Sequence, residues 1–161
     1  MIYRIRQFFK GLIAHVDDND ILINQNLNLL EKGLFLKLSS HEKMHAVNTA
    51  YTIKKLCSSK NYEILVKAAL LHDIGKINGS MGIIKKSVLV LMDRFLPKVS
   101  RSLTSKISMF NIYYNHPEIG AKLLRKVSTD EQVIMLVQYH QSSDNYSIEG
   151  LKLLKKADSL N

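Results

Sequence analysis

Six residues of the kinds that bind metal ions or move protons fall on or beside apolar helix faces. His140 follows Leu136 by four residues and Val133 by seven, and Asp158 follows Leu154 by four and Leu151 by seven. At about 100° per residue, both lie on the apolar stripe of a helix and are expected to point inward. His72 and Asp73 stand side by side at the end of a nearly all-apolar stretch, residues 62–73. His45 shares a helix side with Ala46, Thr49, Ala50, Ile53 and Leu56, whereas His41 falls with Asn48 and Thr52 on the polar side. His116 directly precedes Pro117. An ionised carboxylate buried without a partner costs several kcal/mol or gives up its charge, so Asp158 requires a cation or strong donors. Taken singly, each residue has a plain structural use as a core histidine, a cap or an ion-pair partner. Taken together, four imidazoles and two carboxylates make a nitrogen and oxygen donor set suited to iron, manganese, cobalt or zinc. Cys57 is the single cysteine, which excludes a cysteine-cluster zinc site and an internal disulfide.

The elements that must hold these residues are helices. Only seven glycines and two prolines occur in 161 residues, too few for a turn-rich β-sandwich or barrel, and 46% hydrophobic content suffices for one core. Residues 2–14 read as a short basic amphipathic helix, 17–20 as a turn, and 20–32 as a helix ending near Gly33. Ser39 with Glu42 forms a capping box for a helix reaching about Cys57. After the apolar helix at 62–73, Gly75, Gly79 and Gly82 mark a loop. Helical blocks follow at about 83–96 and 101–114, divided by Pro97, and Pro117 is expected to begin another, to about Lys126. Thr129 with Gln132 suggests a second capping box for a helix at 130–141, and Ser147 a cap for the last, to about Leu160. The reading is an all-α single-domain bundle of seven or eight helices.

The sequence resembles the HD domain superfamily of metal-dependent phosphohydrolases. The likeness is carried by HAVNTAYTIKKL from His45, LLHDIGK at 70–76, HPEIGAKLL at 116–124, His140 and ADSLN at 157–161. It covers residues 36–161, leaving 1–35 as an N-terminal helical extension. By resemblance, His45, His72, Asp73 and Asp158 match the basic four-ligand pattern, and His116 and His140 match the added histidines of two-metal members. The likeness thus implies one or two divalent transition-metal ions: iron, manganese, cobalt, nickel or zinc, with magnesium a further candidate. Asp73 would bridge, with His45, His72 and Asp158 completing one ion and His116 and His140 the other. Tyr139-His140 is followed by QSSDNYS rather than by a Gly-Tyr-Pro element, a departure from the HD-GYP phosphodiesterases. The same ligand set is also similar to dinucleoside tetraphosphate hydrolases of HD type and to di-iron oxygenases related to myo-inositol oxygenase.

The resulting expectation is hydrolysis of a nucleotide or other small phosphate ester, with Asp73 catalytic through the ions it bridges. Two such ions lower the pKa of a water and clamp a phosphoryl oxygen. The alternatives are the oxygenase and a non-catalytic module that senses a nucleotide. Lys76, three residues past Asp73, is placed to neutralise phosphoryl oxygens. The net charge of +9 favours anionic partners, and between Ile83 and Lys106 six basic residues face one acidic residue. Lys85 and Lys86 there are candidates to hold a second phosphate, and the apolar face of the same segment is a candidate for peripheral contact with an anionic membrane. With little aromatic interleaving and no groove-reading motif, nucleic acid is not expected. The lone cysteine and the lack of an export signal point to the cytoplasm.

Overall fold

The capping boxes explain where two of the helices begin. In a computed structural model of the chain, residues 21–57, 62–77, 79, 83–144 and 146–161 are described, with side chains from Val88 onward in the helix that starts at Ile83. The first helices are α1 (Ile21–Asn26) and α2 (Leu29–Phe35). The single helix expected over 20–32 is broken at Asn28. Its side chain accepts from the Leu30 and Glu31 amides while Glu31 accepts the Asn28 amide, which starts a new helix that carries Gly33 inside it. Glu31 is buried and also takes the Lys67 ammonium at 3.1 Å. Next comes α3 (Ser40–Leu56), capped as expected by Ser39 and Glu42.

The helix α4 (Tyr62–Leu71) buries Leu65, Val66, Ala68, Ala69, Leu70 and Leu71. A helix this apolar over most of its surface is stable only when largely covered, and α1, α2, α3, α8 and α9 pack around it, leaving Glu63 exposed at its start. A 3₁₀ turn, Ile74–Lys76, follows the His-Asp pair. Then come α5 (Ile83–Phe95), α6 (Pro97–Ser102), α7 (Ser108–Lys126), α8 (Glu131–Tyr139) and α9 (Leu151–Ser159). The described residues thus form nine α-helices and no strand, an all-α fold.

Four expected boundaries change. Pro97, expected to divide two helices, is the first residue of α6, whereas Pro117, expected at a helix start, lies inside α7. Asp130 rather than Thr129 caps α8, accepting the Gln132 amide at 2.8 Å, and the buried Thr129 hydroxyl has no partner. Gly150, not Ser147, precedes α9, and its φ of 81° is a left-handed conformation that glycine adopts without strain. The amphipathic helix expected at 2–14 and the turn at 17–20 lie outside the described residues, as do Gly82 and the side chains of Lys85 and Lys86.

Candidate metal centre

Five elements deliver the six side chains to one place. His45 comes from α3, His72 and Asp73 from the end of α4, His116 from the middle of α7, His140 from the C-cap of α8, and Asp158 from α9. His45 Nε2 stands 2.8 Å from Asp158 Oδ1 and 3.3 Å from His72 Nε2. His72 Nε2 is 3.5 Å from Asp158 Oδ1 and 3.6 Å from Asp73 Oδ2. On the other side, Asp73 Oδ1 is 3.3 Å from His116 Nε2 and 4.0 Å from His140 Nε2.

These atoms form two groups, each with all ligand atoms within 4.8 Å of one another: His45, His72 and Asp158, and His72, Asp73 and His140. The two groups share His72, and His116 joins through Asp73. The division expected by resemblance instead makes Asp73 the shared residue. His41 is half-buried and belongs to neither group. His72, Asp73, His116 and His140 are buried, whereas the Asp158 side chain, expected to be buried, stays 24% exposed.

The backbone fixes which ring nitrogen faces inward. His72, His116 and His140 each place Nδ1 against the carbonyl three residues earlier, on Ala69 at 2.8 Å, Tyr113 at 3.0 Å and Val137 at 2.7 Å. A carbonyl can only accept, so Nδ1 carries a hydrogen in each ring and Nε2 is the nitrogen turned to the cluster, where it can offer a lone pair to a metal ion. Ala69 and Val137 lie in the last turns of α4 and α8, where carbonyls lack a helical N–H. Tyr113 is mid-helix, but the residue that would donate to its carbonyl is Pro117, which has no N–H.

The buried Asp73 Oδ1, His116 Nε2 and His140 Nε2 have no hydrogen-bond partner. Buried polar atoms are nearly always paired, and a cation among these three would pair all of them. Burial and the neighbouring His72 push the His140 pKa down to about 3, which keeps it neutral and able to donate a lone pair. Burial would raise the pKa of Asp73, but the Lys76 ammonium and the His72 and His116 rings hold it well below the usual range. Asp158 is likewise depressed: the His45 and His72 rings outweigh its burial. For His72, burial favours the neutral ring, yet Asp73 and Asp158 together raise the pKa above its ordinary value. The residues therefore fit divalent metal ions.

Lys76 Nζ lies 2.7 Å from both Asp73 oxygens and donates to Oδ2, while Oδ1 has no donor aligned on it. Lys76 and His116 also line a cavity of about 590 Å³, with Asp93, Tyr113, Tyr114 and Gln138 among its other walls. Asp93, Tyr113 and Tyr114 are not among the residues that the sequence singles out. The Tyr114 hydroxyl donates to Asp93 and lies 2.8 Å from Ser100 Oγ, tying α5 and α6 to α7. A local signal exists, since Tyr113 and His116 are three residues apart on one helix.

Gly75, read as a loop marker, is buried against α7. A Cβ there would sit 1.9 Å from the His116 carbonyl oxygen and 2.8 Å from the Gly120 amide nitrogen. Only glycine lets the turn carrying Asp73 come this close to the helix carrying His116.

No curated protein and no solved structure matches the chain. The model of the HD domain family matches residues 43–161. Domains of this family bind divalent metals, and most are metal-dependent phosphohydrolases. The match takes in all six clustered side chains, and the chain belongs to the HD domain family.

Proposed function

We propose that the chain is a metal-dependent phosphohydrolase acting on a nucleotide or another small phosphate ester. The observation that carries this reading is the set of three buried atoms without an aligned hydrogen bond, Asp73 Oδ1, His116 Nε2 and His140 Nε2, beside a lysine at a cavity wall. His45, His72, Asp73, His116, His140 and Asp158 would hold one or two ions, which when bound activate a water and polarise a phosphoryl oxygen. Asp73 supplies negative charge between the imidazoles, and the Nδ1 bonds hold three of the rings in place. Lys76, its side chain 15% exposed, reaches from the 3₁₀ turn to the cavity, where its ammonium can donate to a phosphoryl oxygen.

A cavity of about 590 Å³ suits a mononucleotide-sized ligand. Glu42, Asp93 and Glu118 also line it, so carboxylates outnumber the one lysine and favour a substrate with one phosphate group over a polyphosphate. The lone, half-buried Cys57 accords with the reducing cytoplasm.

A screen of mononucleotides, sugar phosphates and dinucleoside polyphosphates, each with added iron, manganese, cobalt, nickel, zinc or magnesium, tests this reading. The expected result is phosphate release from a monoester, lost on chelation and in Asp73→Asn. Metal-loaded protein that cleaves no phosphate ester, or that consumes oxygen with a polyol, overturns it.

A further inference from the structure

The segment from α5 to the start of α7 carries an apolar outer face. Leu89 is buried, Asp93 accepts from the Tyr114 hydroxyl, and Ser100 meets the same hydroxyl, so these residues mark the inner side. On the outer side, Val88, Leu91 and Phe95 fall within an arc of about 60° at helical spacing. All three are exposed, Phe95 at 70%, and Leu96 and Val99 continue the apolar surface into α6. Ordinary surfaces scatter large apolar side chains singly, and a run of five marks a contact site.

The charges around this face say what it contacts. Arg94, Lys98, Arg101 and Lys106 line the segment, while the acidic residue, Asp93, is engaged on the inner side. A second copy of the chain would bring the same positive charge against itself in a two-fold interface. Residues 2–14, with Arg4, Arg6 and Lys10, carry the same sign. We propose that this face docks on an anionic lipid surface. The acyl region takes Leu91, Phe95, Leu96 and Val99, and the lipid phosphates take the flanking bases. Asp93, on the inner side of the same helix, lines the cavity beside the metal centre, so docking would hold the cavity near the bilayer.

Co-sedimentation of the full chain with vesicles of phosphatidylcholine, alone and mixed with phosphatidylglycerol, tests the proposal. Binding is expected only to the mixed vesicles and weakens as salt is raised. Each of Arg94→Ala and Lys98→Ala should weaken it about 5-fold, the equivalent of about 1 kcal/mol per basic residue at such a surface. Leu91→Glu with Phe95→Glu should abolish it while leaving metal content and the circular dichroism spectrum unchanged. Equal binding to neutral vesicles, or no binding to either, overturns the proposal. So does a dimer that Phe95→Glu converts to monomer, an acidic protein partner lost in the same variant, or binding lost in Arg4→Ala/Arg6→Ala/Lys10→Ala but kept in Phe95→Glu.

Discussion

His116 owes the direction of its Nε2 to a residue that touches no ligand atom. Pro117 frees the Tyr113 carbonyl, and His116 Nδ1 uses it. In Pro117→Ala the restored N–H competes for that carbonyl. Removing a proline from a helix interior relieves up to ~3 kcal/mol, whereas loss of such an outer contact weakens metal binding by roughly 10–100-fold. The expected variant melts no lower than the parent, binds one ion more weakly, and shows a changed His116 tautomer by nitrogen NMR without metal. A lower melting point with unchanged metal binding would contradict the argument. Metal-to-protein ratios test the cluster itself: Asp73→Asn should empty it, His116→Ala or His140→Ala should remove one ion, and His41→Ala should remove none. Retention of metal in Asp73→Asn would break the assignment. Lys76→Ala should lower turnover by ~10² at saturating substrate, and full activity in that variant would remove the lysine from the chemistry.

Helices set the centre's dimensions by how closely they approach. The turn after α4 meets α7 where Gly75 faces the His116 carbonyl and Gly120, backbone against backbone. Atoms of a rigid backbone cannot swing aside as a side-chain tip can, so Gly75→Ala should cost at least ~3 kcal/mol and lower metal occupancy. Gly33 provides the contrast: it lies inside α2, and a methyl group added there would meet nothing within 4 Å. Gly33→Ala should stabilise by ~0.5–1 kcal/mol. Urea unfolding of the two variants measures the difference, and similar midpoints for both would show that the close approach carries no energetic weight.

Across the whole molecule, the centre gathers ligands from five elements, so bound metal should act as a staple between them. A ligand that binds only the native state at ~1,000 times its Kd adds about 4 kcal/mol, and for a chain of this size that corresponds to a melting shift of roughly 8–16 °C. Chelation should lower the melting temperature by this order, and a thermal scan with and without chelator checks it. No change would mean that no metal spans these helices. The helical class, the burial of most of α4 and the inward face of His140 were legible in the sequence, because periodicity and capping act over a few neighbouring residues. So was the family, through the contiguous HDIGK segment. The break at Asn28 was not, because its capping box interrupts a continuous apolar pattern. Pro117 reads locally as a helix start, yet it lies mid-helix, because the His116 side chain uses the carbonyl that the proline leaves free. Nor could local pattern give the His72 position shared by both ligand groups, the contact of Gly75 with α7, or the Asp93–Tyr114 wall of the cavity. These depend on residues far apart in the chain, such as His45 and Asp158 at a separation of 113, and only packing of the helices around α4 brings such pairs together.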